Sequence, residues 1–376
     1  MKIAVNTRLL LNNKLEGIGW FTFETFQRIV KDHPEHDFYF IFDQKFDPSF
    51  IFAKNVTPIV IGPPARHVSL FYIWFEYSIP HALKKIKPDV FVSPDAYNSL
   101  RSPFKSLVVI HDLNFEHYPE KMPWLIRKYY RYFTPLFAHK ADRIATVSGF
   151  SKKDIAKQYG INPDKIDIVY NGVNKDYIPV NEVIKKEIKE KYTGGDDFFI
   201  YVGALIDRKN LDNLFKAFDQ FKKTTKSNIK LLIVGSKMWH NKQLELTFET
   251  MEYKADVIFT GRLPIEELCL ITASALAMTY VSYFEGFGIP ILEAFSAGVP
   301  GITTNVTSKP EVAGDAAMLI NPFDVDEISM ALLEITLYDR LREELIVKGF
   351  KRSKKFSWDL SAQSLCLSIE KTIASI

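Results

Sequence analysis

Short runs rich in β-branched and aromatic residues alternate with helix-period segments from one end of this chain to the other, which restricts it to a doubly wound, parallel α/β design. Strands are predicted at 2–6, 38–42, 57–61, 89–93, 107–110, 143–147 and 166–170, with a second series at 198–203, 229–234, 257–260, 275–281, 299–303 and 317–320. Between the series, Asn174 to Asn181 carries a proline and few apolar positions, so a domain boundary is expected there. The 376 residues also exceed what one hydrophobic core ordinarily serves.

In such sheets ligands bind beyond the carboxyl ends of the strands. The unusual residues of the chain fall at those ends. Gly17-Ile18-Gly19 follows the first strand, His111-Asp112 follows Leu107 to Ile110, Ser148 follows Val147, and Asn171-Gly172 follows Tyr170. Gly203, Gly235, Gly261-Arg262 and Glu285 hold the equivalent places in the second half.

One of these ends carries the most chemistry. The apolar run Ala275 to Val281 leads into Tyr283-Phe284-Glu285-Gly286-Phe287-Gly288, then into a helix with Pro290 in its first turn. Gly286 and Gly288 allow close backbone approach, and a helix N-terminus offers unpaired N–H groups to a phosphate. Glu285 in the loop could reach a polar part of such a ligand, and Glu293 in the helix could accept from two neighbouring hydroxyls, as acidic residues do with ribose. A plain turn before a helix uses the same residue types, so the wider context has to decide.

Composition narrows the partners. A net charge of +3 is too mild to imply nucleic acid, although it permits contact with an anionic membrane surface. Cys269 and Cys366 lack metal-ligand spacing and are expected to be buried free thiols in a reducing compartment. The start, Met1-Lys2-Ile3-Ala4-Val5-Asn6, lacks a signal-peptide core, and no run of about 18 apolar residues occurs, so a cytoplasmic location is expected. Two aromatic and basic stretches suit docking on anionic lipid: Leu70 to Phe75, with Lys84-Lys85-Ile86-Lys87 after it, and Trp124 to Phe133. Amphipathic core helices with solvated charges would read the same way.

Glu285 and Glu293 with seven residues between them, enclosing Gly-Phe-Gly-x-Pro, resemble the signature of retaining glycosyltransferases of family 4. The flanks agree: Ala294-Phe295-Ser296-Ala297-Gly298-Val299-Pro300, and Pro310-Glu311-Val312-Ala313-Gly314-Asp315-Ala316-Ala317. The resemblance implies the GT-B fold, two Rossmann-like α/β domains facing across a cleft. It assigns 1–175 to the acceptor-side domain, 176–355 to the nucleotide-sugar domain, and 356–376 to a helix, opened by Phe356-Ser357-Trp358-Asp359, that returns to the first domain.

The same resemblance implies a role for each site residue. Gly17 and Gly19 match a loop over the donor phosphates, and the pattern is not the dinucleotide fingerprint of a dehydrogenase. His111 matches a histidine that approaches the donor sugar, with Asp112 in the lesser role of orienting it or capping the next segment. Lys209 matches the lysine that neutralises the donor phosphates. Many relatives carry arginine where Ala204 stands, and Arg208 is the candidate substitute. Gly286, Phe287 and Gly288 would offer backbone amides, Glu285 would bind donor-sugar hydroxyls and Glu293 the ribose. The segment containing Arg262 resembles one that reads the nucleobase through its backbone, which leaves uridine and guanosine both open. Ser148 and Ser151 are read as helix caps, and Asn171-Gly172 as a turn at the domain crossing.

The expected activity is therefore transfer of a hexose from a nucleotide diphosphate sugar to a glycan or lipid-linked glycan hydroxyl, with retention at the anomeric carbon. No cofactor is implied, and no metal, since no Asp-x-Asp site of the metal-holding kind is recognised. The Gly-Ile-Gly, His-Asp and Arg-Lys-Asn variants resemble a branch that transfers mannose from GDP-mannose into bacterial surface polysaccharide. UDP-linked glucose, galactose or N-acetyl sugars are the alternative donors. A non-catalytic nucleotide-sugar-binding scaffold is the alternative of another class, and intact Glu285, Glu293, Lys209 and His111 argue against it.

Overall fold

The computed structural model describes residues 1–12, 15–235 and 242–375. The chain divides into two compact units, Met1–Gly172 with Trp358–Ile376, and Val173–Ser357.

The first unit holds β1 (Lys2–Asn6), β2 (Asp37–Phe42), β3 (Val56–Val60), β4 (Val90–Ser93), β5 (Ser106–Val109), β6 (Arg143–Thr146) and β7 (Ile166–Ile168). They form one parallel sheet in the order β3-β2-β1-β4-β5-β6-β7. Ile3 to Val5, Val90 to Val92 and Leu107 to Val109 are buried, as continuous apolar strands covered on both faces must be. Strand order reverses between β1 and β4, so their carboxyl ends flank a crevice of the kind where doubly wound sheets take ligands. The C-terminal helix Trp358–Ala374 belongs to this unit and packs on the helix Gly17–Asp32. Phe21 meets the edge of Trp358, and Arg28 Nε donates to Asp359 Oδ1 at 2.6 Å.

The second unit holds β8 (Phe198–Val202), β9 (Lys230–Val234), β10 (Val257–Gly261), β11 (Ala277–Tyr280), β12 (Gly301–Thr304) and β13 (Ala317–Ile320). Its parallel order is β10-β9-β8-β11-β12-β13, so here the reversal lies between β8 and β11.

Two local expectations are corrected. Gly17-Ile18-Gly19 is the first turn of the helix Gly17–Asp32 rather than a loop before it. Glycine is required at 19 by packing, since a Cβ there would stand 2.9 Å from the Leu9 carbonyl oxygen and 3.1 Å from the Leu15 side chain. Asn171-Gly172 does not form a turn, and the chain crosses to the second unit directly after it, with Val173 bridging to Ser357. Cys269 and Cys366 are free and buried. Among the described residues, no helix is long and apolar enough to cross a membrane.

Candidate functional site

In the second unit the chain after β8 turns sharply beside β9. A side chain at Gly235 would place its Cβ 2.0 Å from the Gly203 carbonyl oxygen, so the two strand ends approach as only glycine allows. A short helical turn, Asp207–Lys209, follows, and Asn210 takes the left-handed conformation at φ 61°. The Asn210 amide donates to the carbonyls of Val281 (3.1 Å) and Pro322 (2.6 Å) rather than capping the next helix. That anchor holds Arg208 and Lys209 against the loop after β11.

Glu285 receives both. Arg208 Nη1 stands 2.6 Å from Glu285 Oε2, and Lys209 Nζ 2.7 Å from Oε1. Lys209 also donates to the Tyr280 hydroxyl at 2.6 Å, and Arg208 to the Phe284 carbonyl at 3.2 Å. Lys309, which the sequence reading passed over, is buried close by and donates to Thr307 Oγ1 (3.1 Å) and Ser282 Oγ (3.4 Å). Burial alone would push the Glu285 carboxyl up, but Arg208, Lys209 and Lys309 hold it down at about 2. One carboxylate thus faces three basic side chains, a surplus of positive charge suited to a polyanion.

The glycine loop is fixed from behind, because Ser308 Oγ bonds the carbonyls of Glu285 and Phe287, each at 2.9 Å. Gly288, at φ 110°, is the cap of the helix Ile289–Ser296, which brings the positive end of its dipole to the same strand edge; Pro290 has no N–H, and the Ile291 N–H donates to the Gly288 carbonyl at 3.2 Å. Glu293 lies one turn further on, half-buried. Burial pushes its carboxyl up to about 7 against the opposing hydrogen bond from Tyr177. Further hydrogen bonds donated to such a carboxyl would favour its ionised form.

The first unit gathers the other residues. His111 follows β5, and its Nε2–H donates to the Pro94 carbonyl at 2.9 Å beyond the end of β4. Phe21, from the helix that begins with Gly17 and Gly19, meets the imidazole edge-on at 5.1 Å. Burial pushes the His111 pKa below its ordinary value, so the ring is neutral near pH 7. Its carbonyl accepts from Ser151 Oγ at 3.2 Å; of the two serines expected to be helix caps, Ser148 caps the helix Gly149–Tyr159, whereas Ser151 lies inside its first turn and donates its N–H to Ser148 Oγ at 3.1 Å. Asp112 accepts from the backbone and side chain of Asn114 and so caps the next segment. At the switch point of this sheet, Arg8 is buried against Asp95 at 2.5 Å, with Asn6 and Ser93 completing the network. Nothing in the sequence pattern announced it.

Arg262 is exposed directly after the edge strand β10, whose last residue, Gly261, accepts from the Gly235 N–H at 3.0 Å. Asp324-Val325-Asp326 does have Asp-x-Asp spacing. Asp324 caps the helix Val325–Leu337, and Asp326 accepts from Gln220, so both are engaged in helix packing. A cavity of about 580 Å³ lined by Ile178, Pro179, Glu266, Cys269 and Leu270 among others includes none of Arg208, Lys209, Glu285 or Lys309.

Comparison with known proteins follows the same division. Residues 183–352 match the family model "Glycosyl transferases group 1", and residues 17–177 match "Glycosyltransferase Family 4". The O-antigen chain mannosyltransferase B of Escherichia coli is 31% identical over 74% of this chain and 73% of its own length. The O-antigen chain mannosyltransferase RfbU of Salmonella typhimurium strain LT2 is 28% identical over 70% of each. Among solved structures, sucrose-phosphate synthase from Thermosynechococcus elongatus superposes over 100% of both chains with a TM-score of 0.78 at 16% identity. WaaG, a glycosyltransferase involved in lipopolysaccharide biosynthesis, superposes over 97% of this chain and 98% of its own with a TM-score of 0.75 at 17% identity.

Proposed function

The chain belongs to glycosyltransferase family 4 and has the GT-B fold, and from that premise we propose that it transfers mannose from GDP-mannose to a glycan or lipid-linked glycan hydroxyl in surface-polysaccharide synthesis, with retention. The observation that carries the donor class is the cluster at the β8–β11 switch point. Arg208, Lys209 and Lys309 face a single carboxylate there, beside the N-terminus of the helix Ile289–Ser296. A nucleotide diphosphate supplies the negative charge such a place lacks. The choice of mannose rests on the names of the two O-antigen relatives.

In the proposed reaction the bond from the anomeric carbon to the diphosphate oxygen breaks, and a bond from that carbon to the acceptor oxygen forms on the same face. The acceptor proton passes to the departing diphosphate. Lys209, Arg208 and the amides around Gly286 to Gly288 offset charge as it grows on the leaving group, which is where preorganised electrostatics lowers a barrier most. Glu285 accepts from donor-sugar hydroxyls, Glu293 from the ribose, and His111 is assigned to the sugar by its match to the family pattern. The side-chain cations carry the charge compensation, so the route needs neither a divalent ion nor a cofactor.

The acceptor side extends to a peripheral contact with an anionic membrane. On the helix Trp124–Lys140, Trp124, Lys128, Tyr132 and Leu136 recur every fourth residue, and Trp124 and Tyr132 are 59% and 66% exposed. Sedimentation with anionic vesicles should fall for the Trp124→Ala, Tyr132→Ala double variant.

The deciding experiment incubates the protein with GDP-mannose, UDP-glucose or UDP-galactose, with and without EDTA, and follows nucleoside diphosphate release and the anomeric configuration of the product. Release from GDP-mannose alone, unaffected by EDTA and with retained configuration, is expected. Turnover only with UDP-sugars would move the donor and keep the enzyme class, and binding without turnover would favour the scaffold.

A further inference from the structure

Lys309 begins the helix Lys309–Ala313 directly behind the glycine loop, and it is 1% exposed. Its Cγ would lie 3.8 Å from a Cβ placed at Gly288, so the stem packs against the cap of the helix Ile289–Ser296. Its ammonium has two hydroxyl partners, Ser282 Oγ and Thr307 Oγ1. The charged groups that act on it are Glu285, which favours its proton, and Lys209 and Arg208, which oppose it. Glu285 is already shared by those two cations. A buried lysine in that setting has weak support for its charge until further negative charge arrives.

We propose that Lys309 is a third cation of the diphosphate site, neutral in the resting protein at alkaline pH and protonated when a nucleoside diphosphate binds. This rests on the donor-site reading given above. The geometry supplies the reason. A diphosphate at the glycine loop adds at least two negative charges beside a cluster in which one carboxylate is divided among three basic groups. The new field favours the ammonium of Lys309, which takes one proton from solvent as the complex forms. Lys309 acts through the field rather than by a named contact, which makes it a positioning residue for charge. Burial, with Lys209 and Arg208 adding to it and Glu285 opposing, brings its resting pKa down to about 7.

The test is calorimetric titration of GDP and of UDP at pH 8.5, in two buffers of different ionisation enthalpy, which reads the protons taken up per ligand bound. At that pH Glu293, at about 7, is already ionised, and the phosphates, with a second pKa of about 6, are fully ionised, so neither disguises the signal. Wild type is expected to take up close to one proton, and its affinity to fall by up to about tenfold per pH unit above pH 8. Lys309→Met should bind about tenfold or more weakly, with no uptake and no such slope. Lys309→Arg should keep the affinity and lose the uptake. A melting curve without ligand shows whether each variant is folded, and the wild-type uptake needs no variant at all. Absence of uptake in wild type, or equal uptake in Lys309→Met, overturns the proposal while leaving the donor site intact. Failure of wild type to bind either nucleotide overturns the donor-site reading and this proposal together.

Discussion

Replacing Glu285 with glutamine keeps the shape of the side chain and removes the charge that holds Arg208 and Lys209. Holding that carboxyl at about 2 instead of 4.5 corresponds to about 3 kcal/mol of folding stability. The figure agrees with the cost of breaking a buried ion pair from one side, about 3–5 kcal/mol, with Arg208 partly exposed and therefore at the lower end. Because the folded pKa is depressed, the contribution is complete above about 4.5 and is lost as pH falls toward 2. Glu285→Gln should therefore lower the melting temperature of the second unit by about 6–12 °C at pH 7, and by less than half as much near pH 3. Inorganic pyrophosphate should restore part of the loss, since it can occupy the cations left without their carboxylate. Differential scanning calorimetry over that pH range reads all of this. A variant as stable as wild type at pH 7, or a deficit independent of pH, would refute the view that the cluster is held by this carboxylate.

The other site residues give separate expectations. Glu293→Gln should weaken donor binding at pH 8 and flatten its rise between pH 5 and 7, because ribose hydroxyls donate to the ionised carboxylate that forms through about 7; a slope equal to wild type over that range would count against the ribose role. The same carboxyl is raised by burial, so its protonated form favours folding below about 4.5 and that advantage is lost as pH rises through 7; Glu293→Gln should melt higher than wild type at pH 8. Gly235→Ala should cost about 2 kcal/mol or more and abolish nucleotide binding, since its Cβ would sit 2.0 Å from the Gly203 oxygen; a melting temperature near wild type would show that the two loops can separate. His111→Asn should lower kcat with little change in donor KM, and the wild-type rate should show no inflection at the ordinary histidine value of 6.5 from this buried, neutral ring.

The strands were legible because parallel strands covered on both faces leave continuous apolar runs, and predicted runs such as 2–6 and 317–320 coincide with β1 and β13. Arg208 was legible as a candidate through its place beside Lys209, and the ion pair with Glu285 brings it into the cluster. Lys309 was not legible. Serine, lysine and proline in a row read as an exposed turn, and only the packing of the helix Lys309–Ala313 behind Gly288 buries the amine. The Arg8–Asp95 pair was hidden for a related reason: the partners are far apart in sequence and meet only where β1 and β4 lie side by side. Helix entry at Gly17 was missed because two glycines in three residues suggest a loop, whereas at Gly19 it is close contact with Leu9 and Leu15 that selects glycine.

The most direct measurement is titration of GDP and UDP into wild type and Lys209→Met at pH 7.5. Lys209 pairs with Glu285 and Tyr280 inside the cluster, and a charge-assisted contact to phosphate contributes about 1.5–3 kcal/mol, so the variant should bind roughly 10–150-fold more weakly. Binding of GDP by wild type and its loss in Lys209→Met is the predicted result. Equal affinity in the two proteins, or no nucleotide bound by either, would contradict the assignment of this cluster as the diphosphate site.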